Sequence, residues 1–293
     1  MEKLFLPINI GALELAHRVV MPGVVDHRRA RDADPEDCIR RAAPGGLVVT
    51  PPVPVSLGAT RPPFHRGFDD AGTSKAWAGA VRAAQRKHVR VVARLWHPGT
   101  REDTPAALDA SAIDAVIDDY RRAAEQARRL GFDGVELDAA DGALPDQFLQ
   151  DGTNRRGDRY GGSIQNRLNF LCELVEALVG VWTAERVGVR LSPFGAFRGM
   201  SDSDPVALFT AALSTLGGQE LSFVHLVRTA ADGAPLGHLP YDEPGCAARI
   251  RAAFPSAIIA SGDFTRAGAV DLVRSRWADA IGVESGTLDR EGR

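Results

Sequence analysis

Residues 131–170 read GFDGVELDAADGALPDQFLQDGTNRRGDRYGGSIQNRLNF. Within this stretch Gly134–Asp138 is short and nearly continuous in hydrophobicity, as strands buried on both faces of a parallel sheet are. A polar loop punctuated by glycine follows. From about Gln165 to Trp182 the pattern becomes that of a helix. The unit is therefore strand, loop, helix, with Asp138 at the strand end and Asp141 in the loop.

The same unit recurs on both sides. Further strand candidates are Arg18–Met21, Gly46–Thr50, Val89–Leu95, Val187–Ser192, Ser222–Val227, Ala257–Ser261 and Ala280–Val283. With the first they make eight, which predicts a closed (β/α)₈ barrel rather than an open sheet. A helix follows Ser111, its stripe formed by Ile113, Val116, Ile117, Tyr120, Ala124, Ala127 and Leu130, with Gly131 placed to end it. Two more run from Pro205 to Leu216 and from Arg266 to Ser275, with Asp204 and Thr265 as N-caps. Pro51–Gly72 and Pro98–Pro105 are loop-like and follow strands, so they belong to the carboxyl face, where barrels build sites. No linker divides the chain, so residues 1–293 are expected to form one domain. Little sequence remains after the eighth strand, which predicts a short or missing closing helix and a face that a second copy could cover in a homo-oligomer.

Composition sets the function classes. The 293 residues are 44% hydrophobic and 25% charged, with a net charge of −3. The isoelectric point near 6.2 gives no basic field for nucleic acid. Cys38, Cys172 and Cys246 form no CxxC pair, which argues against a disulfide framework or a structural zinc site. Free thiols, no visible signal peptide and no apolar run near the roughly 20 residues of a membrane span predict a cytoplasmic protein without membrane association. The expected partner is a small-molecule substrate.

Several motifs, in order, resemble the old yellow enzyme (NADH:flavin oxidoreductase) family. They are LFLPINIGALELAHRVVMP near the start, ARLWHPGT at 93–100, the 131–170 stretch, VGVRLSP at 187–193, ASGDFT, and ADAIGVESGTL. The segment from Tyr160 to Arg167, YGGS-x-x-NR, is the most specific. The resemblance spans nearly the whole chain. It implies a (β/α)₈ barrel that holds FMN at its mouth and reduces carbonyl-bearing substrates.

The departures from that pattern bear on function. Where the resemblance implies a His, a second His or Asn, and a Tyr that donate to the substrate, this chain has Asp138, Asp141 and Ala143. An ionised aspartate only accepts hydrogen bonds, the opposite of what a developing oxyanion needs. The position of a flavin-facing Thr or Cys is Val25, and that of a Gln on the third strand is Arg94. The small residue expected after strand two falls in Pro51–Pro52, which brings no N–H. A phosphate-binding glycine corresponds to Asp263, and the Gly-Arg pair that would clamp phosphate corresponds to Glu284 and Ser285. Of the implied side-chain flavin ligands, Arg190 is retained.

From these residues the leading expectation is a flavin-independent enzyme with no cofactor and no metal, doing acid–base, isomerisation or cyclisation chemistry on a small biosynthetic substrate. Asp138 and Asp141 would be its carboxylate pair, since two close carboxylates rarely both ionise and one can then act as an acid. His97 would be a third acid–base group. Arg94 and Arg190 would bind substrate, or else pair with the aspartates, and Trp96 would line the cavity. If FMN binds, Arg190 would hold it. The alternatives are an FMN-dependent NAD(P)H ene-reductase and a non-catalytic binding barrel. Glu136 shares the strand parity of Asp138 and is expected to pair with an interior arginine. Arg155, Arg156, Asp158, Tyr160, Asn166 and Arg167 are expected to brace the barrel top.

Overall fold

A computed structural model describes residues 2–23, 35–56, 67–99, 103–193, 200–227, 244–262 and 264–283. Eight parallel strands close into a barrel: β3 (Val19–Met21), β4 (Leu47–Val49), β6 (Arg90–Trp96), β7 (Gly134–Ala139), β8 (Val187–Leu191), β9 (Phe223–Val227), β10 (Ala257–Ser261) and β11 (Ala280–Gly282). Closure is direct, because β11 pairs with β3 and β4 pairs with β6. The eight predicted strands are these eight, shifted by a residue or so at their ends. A two-residue strand, β5 (Val53–Pro54), adds to β6 inside the stretch read as loop.

Helices cover the outside: α1 (Pro35–Arg41), α2 (Ala71–Gln85), α3 (Ala110–Leu130), α4 (Leu144–Leu149), α5 (Ile164–Val181), α6 (Pro205–Gly217), α7 (Pro244–Ala253) and α8 (Arg266–Arg274). The cap of α3 is Asp109, whose carboxylate accepts from the Ala112 amide at 2.8 Å, and Gly131 ends it in left-handed backbone. Asp204 and Thr265 cap α6 and α8 as expected, accepting at 2.9 and 3.1 Å. The main core lies between strands and helices and includes Tyr120, Phe148, Phe170 and Leu174.

The barrel interior is layered. A hairpin of β1 (Ile8–Ile10) and β2 (Leu13–Leu15) packs with Val20, Leu47, Val49, Val92, Phe223, Ile259 and Ala280. That apolar layer plugs the lower end. Gly188 belongs to it: a Cβ there would meet the Phe223 ring at 2.3 Å, so glycine is what lets the ring fill the interior. Above the plug, inward-facing positions turn polar. Strand register sets Asp138, Arg190 and His225 side by side, with Arg94 beside Glu136 just beneath. Among the described residues no helix is long and apolar enough to cross a membrane. The closing segment after β11, and with it the expected short helix, lies outside the described residues.

The signature loop braces the top, as expected. Arg156 pairs with Asp158 and donates to the backbone oxygens of Pro105 and Leu108. Tyr160 donates to Glu173 at 2.8 Å. Arg167 is buried, donates to the Leu149 carbonyl and pairs with Asp202.

Candidate active site

The carboxyl ends of β6, β7 and β8 carry Arg94, Asp138 and Arg190 into the mouth, each about 5% exposed or less. Arg94 Nε is 3.4 Å from Asp138 Oδ2. Its Nη2 donates to the Gly23 carbonyl at 3.3 Å, and its backbone amide donates to Thr50 Oγ1 at 3.0 Å. Arg190 reaches both acids: its Nε is 4.0 Å from Asp138 Oδ1 and its Nη2 is 3.6 Å from Asp141 Oδ2. The aspartates and arginines singled out in the sequence therefore form one cluster.

Asp141 owes its place to an unusual backbone. Its φ is +51°, in the left-handed region that Asp tolerates better than most residues. Two hydrogen bonds hold the turn: the Asp141 amide donates to Ser192 Oγ at 2.8 Å, and the Gly142 amide donates to Asp146 Oδ2 at 3.0 Å. Asp146 also accepts from Gln150 at 2.9 Å. Burial pushes the Asp146 carboxyl up to about 7 against those two bonds.

Beneath the mouth lies a group that the sequence reading passed over. His225 Nδ1 is 2.8 Å from Glu136 Oε2, and its Nε2 is 2.6 Å from Ser261 Oγ. Burial pushes the imidazole down, against the pull of Glu136. Burial also raises Glu136, but His225, Arg190 and Arg94 outweigh it and hold that carboxyl below its ordinary value. A neutral His225 thus donates to ionised Glu136 and accepts from Ser261. Glu136 was expected to pair with an arginine; its close partner is His225 instead, with the arginines acting at longer range. A histidine inside the otherwise apolar FVHLV strand was the available signal, because a polar side chain facing a barrel interior needs a partner.

Among the described residues, Arg94 and Arg190 face three carboxyl groups, Glu136, Asp138 and Asp141. Burial pushes Asp138 up to about 6, although Arg94 and then Arg190 pull it down. Burial and the neighbouring Arg190 lower the affinity of Arg94 for its proton.

His97 follows Trp96 at the end of β6. It is 2% exposed, its Nδ1 accepts from the Gly99 amide at 3.2 Å, and burial pushes it down to about 4 despite Asp103. Trp96 is half-buried at the end of β6, on the same strand face as Arg94. Val25, Asp263, Glu284 and Ser285 lie outside the described residues. Among those described, no three His, Cys, Asp or Glu side chains are placed to hold a metal ion.

Comparison with known proteins now bears on this site. The profile of the NADH:flavin oxidoreductase / NADH oxidase family matches residues 100–283. A putative 12-oxophytodienoate reductase 4 of Oryza sativa subsp. japonica is 32% identical over 317 residues, covering 95% of this chain and 81% of that protein. Morphinone reductase superposes with a TM-score of 0.85 at 29% identity, covering 98% of this chain and 88% of that one. The old yellow enzyme homologue from Zymomonas mobilis superposes at 0.86 with 27% identity, covering 96% and 88%.

These likenesses overturn two expectations: flavin-independent isomerisation or cyclisation, and a barrel without a cofactor. The sequence reading counted altered ligands as lost ligands. The donor set at the mouth suits a flavin better than that count implied. Arg94 in place of Gln is still a donor, its Nε 3.4 Å from Asp138 Oδ2 and its Nη2 on the Gly23 carbonyl. Arg94 and Arg190 together offer guanidinium N–H groups to an acceptor-rich edge such as the pyrimidine side of an isoalloxazine.

Proposed function

The chain belongs to the NADH:flavin oxidoreductase / NADH oxidase family, and from that premise we propose that it is an FMN-dependent NAD(P)H ene-reductase acting on a small conjugated organic substrate. One observation carries the reading: two inward guanidiniums, Arg94 and Arg190, stand at the carboxyl ends of β6 and β8 on either side of Asp138. The likeness to proteins named as reductases of organic molecules supports it. The chemistry FMN supplies when bound is two-electron transfer between a nicotinamide and an organic acceptor.

The side chains divide the remaining work. Arg94 and Arg190 would bind the flavin edge and hold its register. Trp96 would wall the cavity. Asp138 would hold a proton on a carboxyl oxygen, and in that form it is a donor where its ionised form is only an acceptor. It would give the proton to the substrate atom that gains the electron pair, a role for which Ala143 has no group. Asp141 would hold Arg190 and face the substrate.

The test is a pH profile of turnover with NADH and a cyclic enone. The acid form of Asp138 is the working form, so the rate is expected to fall as pH rises through about 6. Asp138→Asn keeps the shape without the proton and should lower the rate by about 100-fold, within the usual span for a general acid, while removing that pH limb. An Asp138→Asn enzyme with the parent's profile would show that the proton comes from elsewhere.

A further inference from the structure

Arg190 is held loosely by its acids. Its Nε lies 4.0 Å from Asp138 and its Nη2 3.6 Å from Asp141, both longer than a hydrogen bond. Attraction at that range keeps the guanidinium near the carboxylates without fixing its tilt. The third nitrogen, Nη1, faces His225, the register partner of Arg190 across β8 and β9.

Nη1 is 3.5 Å from Nδ1 and 3.4 Å from Nε2 of that ring. Each ring nitrogen already has a closer partner: Glu136 Oε2 at 2.8 Å and Ser261 Oγ at 2.6 Å. Those two contacts take up the in-plane directions of the nitrogens. An in-plane approach between them would run into the ring carbon that joins the nitrogens. Nη1 therefore lies over the face of the imidazole, an arrangement that suits a planar guanidinium. A ring tethered at both nitrogens, from β7 and from β10, is a backing that does not turn.

The neighbouring strands make room for the tethers. Ser261 is level with Gly282 on β11, and a Cβ at Gly282 would fall onto Ser261 Oγ, so glycine there admits the hydroxyl to the interior. His225 and Glu136 are wholly buried. The backing also needs a neutral ring, because an imidazolium against a guanidinium would set two like charges in contact. Among the described residues the charged groups facing the ring are Glu136 from β7, Arg190 from β8 and Arg94 from β6, while β10 brings the Ser261 hydroxyl. Burial outweighs Glu136 and keeps the ring neutral.

We propose that His225 is the positioning residue for Arg190: its tethered ring face fixes the guanidinium in the place from which it binds the flavin. This role rests on the flavin-reductase reading and adds to it a residue that does not itself touch the cofactor.

Flavin dissociation constants and two-electron potentials of the parent protein, His225→Gln, Arg190→Ala and their double variant test it. Glutamine can donate to Glu136 and accept from Ser261 but brings no ring to Arg190. His225→Gln should weaken FMN binding about tenfold, ~1.4 kcal/mol and within the usual coupling of residues in contact. It should also lower the potential, since a displaced guanidinium stabilises added negative charge less. In the Arg190→Ala background the same change should alter binding by less than about twofold and leave the potential where it was. A purely structural role would weaken binding equally in both backgrounds. If His225→Gln does not fold, Ser261→Ala takes its place in the cycle. Loss of one tether should weaken FMN binding about threefold in the parent, as for a single hydrogen bond, and not in Arg190→Ala. Parent affinity and potential in His225→Gln, or equal losses in both backgrounds, overturns the role of His225 and leaves the flavin reading standing. A parent protein that binds no FMN removes the functional reading itself, and the proposal with it.

Discussion

Arg190→Ala will retain FMN poorly and melt well below the parent protein. Arg190 contacts more of the cluster than any other residue: Asp138 at 4.0 Å, Asp141 at 3.6 Å, and the His225 ring nitrogens at 3.4 and 3.5 Å. Its removal leaves Arg94 as the ion-pair partner of Asp138 among the described residues and takes a guanidinium away from Asp141. Breaking a buried ion pair from one side costs about 3–5 kcal/mol, because the other charge stays buried. For a chain of this size that is a fall in Tm of roughly 10 °C. The lost donors should weaken FMN binding by about 10- to 100-fold, the equivalent of ~1.5–3 kcal/mol for hydrogen bonds from a charged group. Arg190→Lys separates the effects: it keeps the charge and should recover stability, but without the planar fork it should recover flavin affinity only in part. Differential scanning fluorimetry and flavin titration read the two losses. Unchanged flavin affinity in Arg190→Ala would remove this arginine from the cofactor site.

The second large effect lies away from the chemistry. Arg167 and Asp202 are buried together, with 4% and 1% of their side chains exposed. Arg167 also donates to the Leu149 carbonyl and to the Gly162 carbonyl at 3.3 Å, while Asp202 accepts from the Asp151 amide at 3.0 Å and the Asp204 amide at 2.9 Å. One pair therefore ties the loop after β7, the start of α5 and the entry to α6. Arg167→Ala is expected to cost about 3–5 kcal/mol by the same uncompensated-charge reasoning. The double variant Arg167→Met, Asp202→Leu should cost less than Arg167→Ala alone, since it leaves no unpaired charge behind. Urea denaturation measures both, and a double variant less stable than the single one would contradict the account.

Much of this architecture was readable in the sequence because barrel strands are short apolar runs at regular intervals, and each such run is a strand. The hairpin of β1 and β2 was not, since three-residue strands are too short for alternation to stand out from a turn. The placement of Asp138 and Asp141 at the mouth was readable from strand parity and loop position. Their sharing of Arg190 was foreseen as the alternative to substrate contact, and the structure shows the pairing. The network of Glu136, His225 and Ser261 escaped notice because its members sit on three strands far apart in sequence and meet only when the barrel closes. The functional misjudgement had a different source. The altered positions are not independent: Arg94 and Arg190 both approach Asp138, and a guanidinium in place of an amide is still a donor.

The most direct measurement is the visible spectrum of the protein as purified, followed by titration with FMN. The account predicts a yellow protein with close to stoichiometric flavin, whose colour bleaches when NADH is added without oxygen. A colourless protein that fails to retain added FMN would contradict it.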